Sequence, residues 1–408
     1  MNYTFTSNLT QAEFDQFAIK HQCATFFQSS HWAGVKDNWQ PLYTGIYQDK
    51  VLVGVCLVLK RNLVLKYNFM YAPRGPLLDF NNKELLSFYL DNLKKLAKEH
   101  SAIALTIDPY VKRASYSMQK AMKNKAEINY DDNLLTVFEN HGFKHKGFSK
   151  DMRDTIQPRY QPVILLNTEG LSTYEKSRGF KNGQKANEGN VKIKRIDLDN
   201  INEFVEVIEK TEEAKNISLR GENYFTKLLK NYGDHSLVSI AYLDLEAELQ
   251  SLISRKEDMK KRLENPTIKA GRRREYESQL NNILKETNYI EDKLEERGNT
   301  VNIAGLLALY NGSKAELLYA GMDRDFMKYL GSNLNYVDAV NWALENNCDY
   351  LYFGGSSGYL DEGIDRFKAT FDPTLEEYLG EFIFVNKQTL NYLFEKAQEL
   401  RHKYLHRE

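Results

Sequence analysis

The sequence predicts a mixed α/β (α+β) fold of two similar units, the second carrying an inserted helical hairpin. Three observations carry this reading. The order hairpin, strand, helix, strand occurs twice along the chain. A pair of apolar repeats at heptad-like spacing interrupts the second occurrence, with Pro266 and Gly271 between them. The composition, 42% hydrophobic with 12% aromatic residues over 408 positions, supplies real cores for two domains of ordinary size.

In the first unit, residues 10–20 read as a capped helix, followed by an aromatic run, Phe26 and Phe27, and by Trp32 and Trp39 on either side of Lys36. Strand patterns at 42–48 and 51–59 are joined across Asp49-Lys50 as a hairpin. A third strand, 68–71, ends in the rigid turn Ala72-Pro73-Arg74-Gly75-Pro76. Leu85, Leu86, Tyr89, Leu93 and Leu96 recur at helical spacing over 82–100, and 102–107 is a buried strand ending at Asp108-Pro109.

The second unit repeats the order with strands at 236–243, 302–309 and 316–320, a helix at 335–345 and a strand at 349–353. The insertion occupies 244–298. Leu245, Leu249, Leu252, Met259 and Leu263 follow one seam, and Tyr276, Leu280, Ile283, Thr287, Ile290 and Leu294 step by four and three along the other. Two helices of about twenty residues, each roughly 30 Å long, are expected to fold back as an antiparallel coiled coil. Its tip is basic: nine Lys/Arg against three acids between Arg255 and Arg274, a net +6. That is either an ordinary solvated tip or an arm that contacts phosphates.

Net charge is −1, which excludes a globally basic nucleic-acid binder and confines any RNA contact to a local patch. Cys23, Cys56 and Cys348 lie far apart, so neither a disulfide framework nor a zinc site is expected. The N-terminal residues lack an apolar signal region, and the longest apolar runs have strand length. A soluble, cytoplasmic protein is expected.

The most informative stretch runs from Tyr352 to Glu381. A strand stops in Gly354-Gly355, where backbone without side-chain bulk lets a ligand approach. Arg366-Phe367-Lys368 follows; on pattern alone Lys368 reads as a solvated lysine. The string G-I-D-R-F-K-A-T-F-D-P-T-L-E-E-Y-L-G-E-F resembles the C-terminal signature of the Fem family, the tRNA-dependent aminoacyltransferases of peptidoglycan bridge formation. Within it the chain is most similar to MurM- and MurN-type enzymes, and the resemblance covers nearly the whole length. It implies two GNAT-like domains: 1–155, completed by C-terminal residues 381–408, and 156–380, with the 244–298 hairpin inserted in the second.

The resemblance also implies the chemistry. An amino acid, alanine or serine, moves from aminoacyl-tRNA to the stem-peptide lysine side chain of lipid II or of UDP-MurNAc-pentapeptide. The enzyme works in the cytoplasm, peripheral to the inner membrane face through its substrate. An ester is already an activated acyl donor, so no cofactor and no metal is expected; aminoacyl-tRNA is the co-substrate. Lys368 falls at the family's cation beside the acyl ester, with Phe367 shaping the pocket. Tyr319 is given an orienting role, and Asp108, at a strand end, that of a general base or of a turn cap. Lys36 and Arg220 are the expected ligands of the acceptor diphosphate, with Trp32, Trp39 and Tyr224 beside them. Arg272, Arg273, Arg274, Lys260 and Lys261 are the expected tRNA contacts.

Two alternatives remain within this reading. In one, the enzyme is MurN-like and adds the second residue of the branch. A GNAT-class acyltransferase using acyl-CoA is the other, but the stretch Arg324 to Gly331 has one glycine and no pyrophosphate loop. A non-catalytic scaffold using the coiled coil would leave the joint match of Lys36, Arg220, Tyr319 and Lys368 without a reason.

Overall fold

The computed structural model describes residues 2–63, 66–215 and 219–405, with side chains of the final helix described as far as 397. The chain opens with β1 (Tyr3–Thr6), α1 (Gln11–Ala18) and α2 (Ser30–Val35), then β2 (Gln40–Gln48), β3 (Val51–Asn62), β4 (Asn68–Ala72) and β5 (Leu77–Leu78). Helix α3 (Lys83–Glu99) starts on an Asn82 cap and buries the predicted Leu85, Leu86, Tyr89, Leu93 and Leu96. After it come β6 (Ala102–Ile107), β7 (Lys112–Ser117), α4 (Met118–Met122), α5 (Leu135–Asn140), β8 (Lys144–His145) and β9 (Tyr160–Leu165).

Helices α6 (Thr168–Lys176) and α7 (Arg178–Glu188) are split at Ser177, and β10 (Val191–Arg195), α8 (Ile201–Lys215) and α9 (Glu222–Tyr232) follow. Next are β11 (Ser236–Asp244), α10 (Leu245–Leu263), α11 (Ala270–Arg297), β12 (Thr300–Asn311) and β13 (Lys314–Met322). The chain closes with α12 (Gly331–Glu345), β14 (Tyr350–Tyr352), α13 (Gly363–Ala369), β15 (Thr374–Tyr378), β16 (Phe382–Val385) and α14 (Gln388–Leu405).

The strands form two sheets of related order. The first runs β1-β2-β3-β4-β6-β16-β8, with β5 on β3; the second runs β10-β11-β12-β13-β14-β9-β15-β7. In each, three antiparallel strands lead through one helix to a parallel neighbour: β4 to β6 through α3, and β13 to β14 through α12. The repeat of element order is therefore a repeat of topology. Where β2 and β3 are joined by a tight turn, β11 and β12 are joined by the helical pair α10–α11.

One strand departs from the sequence partition. The strand β7, within the stretch assigned to the first unit, pairs with β15 in the second sheet. The strand β16, within the 381–408 segment assigned to the first unit, pairs with β6 in the first sheet, so the chain passes between the sheets at both ends of the junction. A core of apolar side chains from both units, including Phe26, Trp32, Leu57, Phe204, Leu307 and Leu309, fills the space between them. Residues 406–408, the end of the expected 381–408 segment, lie outside the described residues.

The hairpin seam follows the predicted spacing, with Leu252, Ile283, Thr287 and Ile290 buried. The second helix has 28 residues rather than about twenty, because Gly271 lies in its first turn instead of breaking it. Its base is pinned to the body: Asp323 accepts from Lys210 at 2.9 Å and from Arg297 at 2.6 Å, and Glu286 from Lys328 at 2.8 Å.

Candidate active site

The short helix α2 begins on a Ser29 cap and ends at Lys36, which it projects toward α9. The ammonium of Lys36 lies 4.6 Å from the Trp32 ring centroid and 6.0 Å from that of Tyr224. Arg220 precedes α9 rather than sharing its face, yet its guanidinium reaches the same Tyr224 ring at 5.3 Å. Tyr319 meets Tyr224 edge-on at 5.9 Å and Phe225 at 5.1 Å. Five predicted residues, from both units, thus form one cation–aromatic cluster. Burial, with the Arg220 charge added, draws Lys36 down to about 8.

Tyr319 reaches this cluster because of a β-bulge. Leu307 pairs with Tyr319 and Ala308 with Leu317, which leaves Leu318 without an opposite partner. The extra residue resets the alternation, so Tyr319 joins Glu316 on the face turned to the first unit. Glu316 lies opposite Leu309, a member of the core shared by both units.

A second polar group lies at the junction of the sheets. Asp108, 1% exposed, accepts from the Arg74 backbone N–H at 2.6 Å and the Tyr71 hydroxyl at 3.0 Å. It fixes Arg74 in a left-handed conformation (φ 54°) that a non-glycine residue rarely adopts. Burial pushes Asp108 up to about 7 against the pull of Arg74. The Arg74 side chain is itself buried and donates to the Pro158 carbonyl at 2.7 Å, bridging the units. Glu316 accepts from Gln161 at 2.7 Å; burial pushes it up to about 7, opposed first by Arg74.

Lys368 sits on α13, a helix and not an exposed turn. It is 4% exposed and donates to the Gly355 carbonyl at 2.6 Å. The reading of Lys368 as a solvated lysine is therefore corrected. Burial draws it down to about 8, while Asp365, Glu316 and Glu362 favour its charged form. The carbonyl is presented by tight backbone: a Cβ on Gly354 (φ 70°) would stand 2.8 Å from the Leu317 oxygen.

Other predicted residues are not brought to these clusters. Trp39 packs toward Phe69 at 6.4 Å and Arg61 at 5.8 Å, so it does not join Trp32 beside the Lys36 ammonium. Phe367 packs edge-on against Tyr336 at 5.0 Å and Phe371 at 5.6 Å, in the core beneath the second sheet, where it supports α13. Lys260, Lys261, Arg272 and Arg274 are exposed at the far end of the hairpin, with Arg273 half-buried among them.

Residues 9–399 match the model of the FemAB family. The chain belongs to that family. Among its relatives, Aminoacyltransferase FemA of Staphylococcus epidermidis is 26% identical over 94% of this chain and 97% of its own length. The Staphylococcus aureus Aminoacyltransferase FemA is 25% identical over 92% of this chain and 94% of its own length. The crystal structure of FemX superposes with a TM-score of 0.74 over 97% of this chain and 100% of that one, at 23% identity, and shares the fold. The protein is thus a Fem-family aminoacyltransferase of peptidoglycan bridge formation.

Sequence reasoning about this FemAB-family chain missed Arg74, Gln161 and Glu316. In the sequence Arg74 stands out only as part of a Pro-Gly turn, and Gln161 falls in a stretch to which no element is assigned. Glu316 read as the start of a strand. Only the sheet brings Gln161 on β9 across β14 to Glu316 on β13.

Proposed function

We propose that the protein transfers an alanine or serine residue from aminoacyl-tRNA to the stem-peptide lysine side chain of lipid II, forming a branched cross-bridge. The observation that carries this reading is the pairing of Lys36 and Arg220, from different units, around one tyrosine ring. Two cations converging from two sides suit a diphosphate, which offers oxygens on both. The Trp32, Tyr224 and Tyr319 rings beside them suit a sugar or peptide portion.

In the reaction, the lysine amine attacks the ester carbonyl and the tRNA ribose hydroxyl leaves. Lys368, held by Gly355, stabilises the negative charge that develops on the carbonyl oxygen. Desolvation strengthens that interaction, since a buried ammonium acts through a low local dielectric. Tyr319 orients the acceptor. Asp108 has both carboxylate oxygens engaged, which favours a role in fixing the Arg74 turn over one in proton transfer. The hairpin, fixed at its base by the Asp323 and Glu286 ion pairs, serves as a stiff arm whose basic tip meets tRNA phosphates.

Mass spectrometry of lipid II after incubation with a mixture of charged tRNAs tests the proposal. An acceptor heavier by one alanine or serine supports it. Modification only of lipid II already carrying one branch residue would assign the second, MurN-like step. Modification only of the soluble nucleotide precursor would reassign the acceptor, and no transfer from any charged tRNA would overturn the reading.

A further inference from the structure

We propose that Glu316 is the general base of the transfer, taking a proton from the attacking amine as the C–N bond forms and passing it to the ribose oxygen as the ester C–O bond breaks. The proton balance closes: an amine and an ester become an amide and a hydroxyl, and the carboxylate ends as it began. This inference rests on the reading of the site given above.

A census of the buried carboxylates at the junction leads to Glu316. A base needs an oxygen that substrate can reach. Asp108 has one oxygen on the Arg74 N–H and the other on the Tyr71 hydroxyl. Glu376 gives one oxygen to Lys112 at 3.2 Å and the other to Tyr352 at 3.1 Å and Tyr378 at 2.6 Å. Glu381 is engaged by Lys146 at 3.0 Å and by the Ile156 N–H; Glu377 accepts from Arg113 and Arg159 on one oxygen at 2.9 and 2.8 Å and is also hydrogen-bonded to Tyr116. All four are 1–2% exposed. Glu316 differs on both counts: it is half-buried, and among the described residues it has a single hydrogen-bond partner, Gln161 on Oε1.

Position agrees with this. The Leu318 bulge puts Glu316 on the same face as Tyr319, and its charge interacts with Arg74 from the first unit and Lys368 from α13. Lys314 on its own strand, Tyr352 opposite it on β14 and Tyr110 from the first unit also face it. Burial outweighs these cations and leaves the carboxyl at about 7, where it exchanges a proton readily at neutral pH.

The test is single-turnover transfer from pre-charged tRNA to lipid II as a function of pH, for wild type, Glu316→Gln and Glu316→Asp. Wild type is expected to lose rate below a limb near pH 7, matching Glu316. E316Q should lose roughly 10²–10⁴-fold in rate together with that limb, with both KM values little changed, and E316D should recover part of the rate and the limb. An E316Q rate within a few-fold of wild type, or a limb that persists in it, would overturn the assignment. Should E316Q fail to fold, a wild-type profile without an acidic limb near 7 does so equally. Lys368→Met separates the levels. If it transfers normally, the reading of the site fails; if it is impaired while E316Q is not, only the base assignment falls.

Discussion

Lys36 and Arg220 share one tyrosine: the ammonium lies 6.0 Å from the Tyr224 centroid and the guanidinium 5.3 Å from it. Burial first, and the like charge of Arg220 second, draw Lys36 down to about 8. A protein gains nothing in stability from such an arrangement. It becomes favourable when an anion with two negative centres lies between the cations.

Replacing either cation with Met should therefore raise the acceptor KM, by about 1.5–3 kcal/mol for one lost charge-assisted contact. The KM for tRNA should hardly change. Acceptor binding in wild type should weaken as pH rises through about 8, where Lys36 gives up its proton. Arg220→Met removes a repulsion from Lys36, so the limb of the weakened variant should move to higher pH. Steady-state KM measured against pH reports both effects; a limb that stays in place would detach Lys36 from the acceptor.

For Lys368 the expected effect lies in kcat. Lys368→Met should lower it by roughly 10²–10³-fold, the scale of losing one oxyanion donor, with partial recovery in Lys368→Arg. Only the protonated lysine can stabilise negative charge, so wild-type kcat should fall as pH rises through about 8. Stability should respond differently. Methionine removes a buried ammonium but leaves the Gly355 carbonyl without its donor, so the two effects oppose and the melting temperature should shift little. Unchanged kcat in a folded Met variant would reduce Lys368 to a structural lysine.

The predictions that held came from periodic signals. The apolar positions of α3, the heptad steps of α10 and α11 and the order of strands around α3 and α12 are local patterns that burial imposes directly. The strand β7, KRASYS, carries no such pattern. It is held at its edge by partners far along the chain, such as Glu377, which pairs with Arg113 at 2.9 Å. The bulge at Leu318 has no composition signal either, because it is defined by the register of β12. Likewise, that Lys368 is buried follows from how α13 packs, which the R-F-K string does not encode. Of the site, the residues with a family counterpart were legible, and Arg74, Gln161 and Glu316, whose placement needs the sheets assembled, were not.

Arginines 272–274 at the hairpin tip should act through charge alone. Reversing Arg272, Arg273 and Arg274 to Glu should weaken tRNA binding and flatten its dependence on salt, because fewer counterions are released on association. Lipid II binding should be unaffected. Filter-binding or fluorescence titrations at several salt concentrations decide this; equal affinity and slope in the triple variant would leave the arm without a tRNA role.

The last prediction concerns Asp108, whose role in holding the Arg74 turn has a pH signature. Burial raises its folded-state value from the ordinary 3.8 to about 7. Between those values the folded protein keeps a proton that the unfolded chain has released. The stability contribution of Asp108 is then fully present below about pH 4 and is lost as pH rises through 7, at most about 1.4 kcal/mol per pH unit. Asp108→Asn removes the titration while retaining one oxygen for the Arg74 N–H, so that variant lacks the slope. It should be less stable than wild type in mild acid, by about 1–3 kcal/mol for the disturbed Tyr71 and Arg74 bonds, and approach wild type toward neutrality. Denaturant unfolding of both proteins at intervals across this window gives the comparison. Parallel curves would mean that Asp108 is already ionised in the folded protein throughout, with Arg74 outweighing its burial.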